Sequence, residues 1–218
     1  NIPRDMWTQV IDIELPPIIK FERPSGGSEA IKEAAKLLSN ADFPVILSGA
    51  GVVLADAIND CKALAEKLDS PVASGYQHND SFPGSHPLAV GPLGYNGSKA
   101  AMELISKADV VLALGTRLNP FSTLPGYGID YWPKDAAIIQ VDINSDRIGL
   151  TKKVSVGICG DAKQVAQQLL NSLSPEAGNK NRDERKALIH QTKSAWLQTL
   201  SSMDHEDDDP GTCLLYTS

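Results

Sequence analysis

No stretch of this sequence is apolar enough to cross a membrane. The longest apolar run, Val110 to Leu114, has five residues, against the ~20 that a bilayer requires. No charged leader followed by an apolar core opens the chain, so nothing marks it for secretion. Basic charge is scarce as well: 20 Lys and Arg stand against 27 Asp and Glu, a formal charge of −7. Asp204, Glu206, Asp207, Asp208 and Asp209 account for most of that excess. Nucleic-acid binding needs a clustered basic face, and there is none. Cysteine is limited to Cys61, Cys159 and Cys213, with no CxxC pair. An odd, scattered set argues against a disulfide framework or a zinc site and points to a reducing compartment, the cytoplasm. The chain opens at Asn1 without a start methionine, so the natural N-terminus is expected upstream. The last six residues, 213–218 (CLLYTS), resemble the in-frame translation of a sequencing-library adapter. The natural sequence is therefore expected to end near Thr212, and Cys213 is given no chemistry.

What the chain does have is alternation. Apolar runs of four to six residues, at 45–48, 71–74, 110–114, 137–141 and 154–159, read as buried strands. Between them lie stretches with apolar residues at helical spacing. Ile31, Ala34, Ala35 and Leu38 form one stripe, and Ala57, Ile58, Cys61, Leu64, Ala65 and Leu68 the clearest. Ala101, Leu104, Ile105 and Ala108 form a third; Ala162, Val165, Ala166 and Leu169 a fourth. Cys61 sits inside its stripe as a small core residue. Strands joined by crossover helices predict an α/β fold, a doubly wound parallel sheet with helices on both faces. Residues 75–96 and 118–135 read as long loops.

The domain expectation follows from composition. Residues 1–25, with Pro3, Pro16, Pro17 and Pro24, read as the end of a preceding domain and an extended linker. Residues 26–174 form the sheet domain. Residues 175–212 read as a linker helix, over 184–200, and an acidic segment leading toward a further domain. The helix stripe there is Leu188, Thr192, Ala195, Trp196 and Leu200.

In an open parallel sheet, ligands sit at the carboxyl ends of the strands. Four candidate features fall there: Gly49-Ala50-Gly51, the loop around His86, Gly115-Thr116-Arg117, and Asp142. The glycine turn serves either nucleotide phosphate binding or tight strand-to-helix packing. Position 54 is Leu, so the full GxGxxG is absent, and no Gly-Lys-Ser/Thr follows to make a Walker loop. Arg117 suits either a phosphate or a neighbouring carboxylate. Asp142 either receives a ribose or, with Asn144, caps the turn before Ile148. His78 and His86 share a loop without a third ligand at metal spacing. No Ser/His/Asp arrangement and no paired carboxylates stand out. The residues alone give a ligand-binding sheet with no catalytic residue and no metal site.

Four segments in order carry a family resemblance: 44–51 (PVILSGAG), 86–94 (HPLAVGPLG), 108–117 (ADVVLALGTR) and 139–143 (IQVDI). Together they resemble the central domain of thiamine-diphosphate enzymes of the acetolactate synthase type, and 2–5 (IPRD) looks like the close of that family's pyrimidine-binding domain. Residues 6–9 (MWTQ), 75–80 (GYQHND) and 119–132 (NPFSTLPGYGIDYW) are similar to the family's sulfoacetaldehyde acetyltransferase branch. The resemblance implies conversion of sulfoacetaldehyde and phosphate to acetyl phosphate and sulfite, in sulfonate metabolism, with the cofactor as electron sink. It implies that thiamine diphosphate and Mg2+ are held by flanking pyrimidine- and diphosphate-binding domains in a homo-oligomeric parent. A Gly-Asp-Gly…Asn motif for the diphosphate is absent here, since Ala162 follows Gly160-Asp161. Some family members carry FAD or ADP on the central domain. Two other readings stay open: an acetolactate synthase or decarboxylase with FAD or ADP on this domain, and a non-catalytic nucleotide-binding or spacer module.

Overall fold

The computed structural model describes residues 3–10, 12–19 and 21–203. The acidic run at 204–209 and the adapter-like 213–218 lie outside the described residues. Twelve regular elements follow a short 3-10 turn at Arg4–Thr8. They are α1 (Ser28–Asn40), β1 (Pro44–Ser48), α2 (Ala50–Leu54), α3 (Ile58–Leu68), β2 (Val72–Ser74) and β3 (Ala89–Pro92). After these come α4 (Lys99–Ile105), β4 (Val110–Leu114), β5 (Ala137–Asp142), β6 (Val156–Cys159), α5 (Ala162–Ser172) and α6 (Arg182–Met203).

The strands form one sheet in the order β3-β2-β1-β4-β5-β6, all parallel. β1 and β4 are buried at every position. That is why they read as unbroken apolar runs: helices cover both of their faces. β6 at the edge alternates buried and exposed residues. The helices make two layers, α5 packed between α1 and α3, and α4 with α6. The expected doubly wound parallel sheet is the observed fold, and the stripes of α1, α3 and α5 are the buried faces. No helix among the described residues is long and apolar enough to cross a membrane.

The structure departs from expectation in three places. β3 lies within the predicted loop at 75–96. Its four residues include Gly91 and Pro92 and are only partly buried, so no apolar run announces it. α2, five residues long, follows the Gly49 turn where no helix was expected. The helix expected over 184–200 spans Arg182–Met203; of the predicted stripe Thr192 is buried and Leu188 and Trp196 are half-buried, but Ala195 and Leu200 are exposed, and the other buried side chains are Arg185 and Ile189. An arginine at the centre of the contact hides that face from an apolar pattern.

Cys61 gives the core a chemical readout. It is fully buried, and that burial pushes its thiol from 9.0 up to about 12. Cys159 is exposed. Of these two, Cys159 is expected to react at once with an aromatic disulfide reagent and Cys61 only on unfolding, as peptide mapping of the labelled protein will show. The unfolded chain releases the Cys61 proton near pH 9.0 while the folded chain holds it to about 12. Stability is therefore expected to fall as pH rises through that window, and Cys61→Val to flatten that part of the slope.

Candidate functional site

The chain leaves β1 outward to β2 and β3, then returns to β4 on the opposite side of β1. This reversal opens a crevice at the carboxyl ends of β1 and β4, where doubly wound sheets take their ligands. A cleft of about 560 Å³ lies there. All seven predicted site residues, Gly49, Ala50, Gly51, Gly115, Thr116, Arg117 and Asp142, line it. They come from three strand ends far apart in sequence, and the sheet order alone brings them together.

The two glycine turns touch backbone to backbone. Gly49 N–H donates to Leu114 O at 3.1 Å and Gly51 N–H to Gly115 O at 2.8 Å. A methyl on Gly51 would fall 2.6 Å from Gly115 Cα, and one on Gly115 would fall 2.7 Å from Gly51 Cα. Packing thus accounts for both glycines, and the Gly51 N–H is committed within the protein. Asp142 Oδ1 accepts Asn144 N–H at 2.9 Å, and Asn144 Oδ1 accepts Asp146 N–H at 2.9 Å. The local turn weighed for Asp142 and Asn144 therefore exists.

Sequence reading missed the cleft's other charges. Arg23 and Arg147 line it beside Arg117, as do His78 and Asp161. Arg23 Nη1 reaches Asp161 Oδ2 at 2.9 Å, and Asp161 Oδ1 also caps α5 by accepting from Lys163 and Gln164 N–H. The Arg117 and Arg147 guanidinium groups are exposed and make no ion pair among the described residues. Both are carried on turns gripped by Gln140, which is buried within β5. Its Nε2 donates to Thr116 O and Arg147 O at 3.2 Å each, and its Oε1 accepts Gly149 N–H at 2.9 Å. A lone glutamine inside an apolar strand was the available signal for Gln140. Arg147 follows a turn that Asp142 and Asn144 already marked. Arg23 sits in a proline-rich stretch 138 residues from its partner, and nothing local points to it.

The two histidines separate. His78 faces the cleft, whereas His86 lies in a different depression with Glu66. His86 Nδ1 accepts Leu88 N–H at 3.2 Å, so Nε2 carries the proton toward Glu66 Oε1 at 3.3 Å. Among the described residues, no three His, Cys, Asp or Glu are grouped to hold a metal ion. The cleft thus combines one committed ion pair, Arg23 with Asp161, with two arginines, Arg117 and Arg147, free to meet an anion. It carries no nucleophile held by a base.

Residues 31–169 match the family described as thiamine pyrophosphate enzyme, central domain. The chain is 80% identical over 212 residues to a Rhizobium meliloti protein named probable sulfoacetaldehyde acetyltransferase, covering 97% of the chain and 36% of that relative. It is 75% identical to a Roseovarius nubinhibens sulfoacetaldehyde acetyltransferase, covering 97% of the chain and 35% of that protein. A probable acetolactate synthase large subunit of Methanocaldococcus jannaschii is 37% identical, with 92% and 32% covered. The chain spans about a third of the length of these relatives. Benzoylformate decarboxylase from Polynucleobacter necessarius shares the fold, with a TM-score of 0.63 at 22% identity over 82% of this chain and 33% of that one. The parallel sheet, its crevice at the turn of the strand order and the match over 31–169 lead to one assignment: the chain belongs to the thiamine pyrophosphate enzyme central-domain family.

Proposed function

We propose that this chain is the central domain of a thiamine-diphosphate-dependent sulfoacetaldehyde acetyltransferase. The parent would act in the cytoplasm as a homo-oligomer, turning sulfoacetaldehyde and phosphate into acetyl phosphate and sulfite. The observation that carries this reading is the 80% identity along 97% of the chain. Thiamine diphosphate, when bound, would supply the electron sink for the aldehyde carbon, with sulfite leaving from the carbon next to it. The residues of this chain do not fit that cofactor's diphosphate and Mg2+. The Asp161 carboxylate is committed to Arg23 and to the N-terminus of α5, and among the described residues no three His, Cys, Asp or Glu gather to hold a metal ion. No step of the reaction is therefore assigned to this domain, and flanking domains hold the cofactor.

The test is the parent enzyme supplied with sulfoacetaldehyde, phosphate, thiamine diphosphate and Mg2+. Acetyl phosphate and sulfite are expected in equal amounts. Acetolactate from pyruvate without sulfite, or a yellow flavoprotein, would favour the acetolactate synthase reading instead. Calorimetry on the 218-residue chain is expected to show no stoichiometric binding of thiamine diphosphate.

The crevice fits a different group. Arg117 and Arg147 can meet a diphosphate, and the Asp142 oxygen that Asn144 leaves free can accept from a ribose. ADP, or the ADP half of FAD, has both parts. ADP at a hundred times its dissociation constant is expected to stabilise the chain by ~2.7 kcal/mol, visible as a raised melting temperature. Arg117→Ala and Arg147→Ala should each weaken binding about tenfold, or ~1.4 kcal/mol. A melting temperature indifferent to ADP would leave the domain a spacer.

A further inference from the structure

The strands bury their apolar side chains, but the segment ahead of α1 does the opposite. Val10, Ile13, Leu15, Ile18, Ile19 and Phe21 are all exposed, Val10 at 97% and Ile18 at 94%. Monomeric proteins scatter exposed apolar residues singly; a run this dense marks a surface made to be covered. The described residues between Gln9 and Pro24 form no helix or strand. Pro16 and Pro17 remove two backbone donors and hold the chain extended before anything binds it. An already extended strap loses little freedom on docking.

The strap is fixed at one end only. Arg23 pairs with Asp161, Asp161 N–H donates to Pro24 O at 2.7 Å, and Ser25 bridges Gly160 at the carboxyl end of β6. Beyond that anchor its apolar side chains have no layer of this domain to enter.

Two findings identify what covers it. The family match begins at residue 31, so the strap lies outside the central-domain unit. The alignment with the Rhizobium meliloti relative takes in 97% of this chain but 36% of that protein, so nearly two thirds of such a polypeptide lies elsewhere. We propose that the described residues 10, 12–19 and 21 form a docking strap that packs its apolar side chains against the folded remainder of the same parent polypeptide, holding it beside the β6 edge of the sheet. Covalent continuity favours this occupant over a second copy, because the tethered body is present at high effective concentration. The inference rests on the reading that the chain is one domain of a longer enzyme.

Hydroxyl-radical footprinting read by mass spectrometry tests it, on the 218-residue chain and on the full-length parent. Labelling at Val10, Ile13, Leu15, Ile18, Ile19 and Phe21 is expected to fall several-fold in the parent, at every parent concentration. Equal labelling in the two proteins overturns the proposal. So does protection that develops in the 218-residue chain as its concentration rises, which would make a second copy the occupant. Sulfite release is assayed on the same parent sample. An active parent with a fully labelled strap removes the strap and keeps the function; an inactive parent with a protected strap does the reverse.

Discussion

Arg185→Ala is expected to cost the folded chain about 3–5 kcal/mol. A guanidinium has five N–H donors, and here all five directions are used. Nε donates to Asp69 O, Nη1 to Asp42 O and Lys180 O, and Nη2 to Leu68 O and Gly178 O, at 2.6 to 3.0 Å. The residue is 1% exposed. Leu68 and Asp69 are the C-terminal end of α3, where carbonyls lack helical partners and the helix dipole favours a cation. One side chain therefore closes α3, holds the turn at Gly178 and seats the first turns of α6. Burial pulls its pKa below the ordinary value while Asp69 opposes that pull. Arginine stays charged against such a cost, and its planar fork reaches five acceptors.

Alanine would leave those carbonyls to whatever water can enter. Each hydrogen bond to a charged donor contributes about 1.5–3 kcal/mol, but the five share one side chain and do not add. Against a total stability of about 5–15 kcal/mol the loss is large. Arg185→Lys should recover only part, since three donors on a point charge cannot span five carbonyls. Urea denaturation of the 218-residue chain measures both variants. Hydrogen exchange tells which part gives way: a pure α6 anchor would lose protection over Arg182–Met203 and leave β1 and β4 protected. An Ala variant within about 0.5 kcal/mol of the parent chain would show that the clamp holds nothing.

Arg185 also shows where sequence reading stops. Apolar periodicity found α1, α3 and α5 because their buried faces are made of Ile, Leu, Val and Ala. It found the central strands because both faces of β1 and β4 are covered. It placed only part of the buried face of α6, where the deepest side chain is charged, and passed over β3, which is short and interrupted by Gly91 and Pro92. The cleft was legible as strand ends, since Gly49–Gly51, Gly115–Arg117 and Asp142 each close an apolar run. Of its arginines only Arg117 was. Arg23 reaches the crevice across 138 residues, and Gln140 looks like an interruption in β5 until it is seen holding two turns. Long-range polar contacts leave no period in a sequence.

The same crevice carries the second large effect. Gly115→Ala is expected to destabilise the chain by about 3–4 kcal/mol, and Gly51→Ala by about 2–3 kcal/mol. Gly115 pays twice, because its φ is +62° and its methyl would also press on Gly51 Cα and Val52 N, at 2.7 and 2.8 Å. Both neighbours are backbone, so relief requires moving a whole turn. Gly128 separates the two causes: its φ is +71° and nothing lies within 4 Å of its would-be methyl. Gly128→Ala should therefore show the left-handed cost alone, about 1 kcal/mol. The double variant Gly51→Ala/Gly115→Ala should cost less than the two singles together by about 1 kcal/mol, because the shift that admits one methyl makes room for the other. Additive losses in a denaturation cycle would mean that the turns yield independently. The β1 and β4 ends would then not be one interlocked unit, and the glycines would be free to serve a phosphate instead.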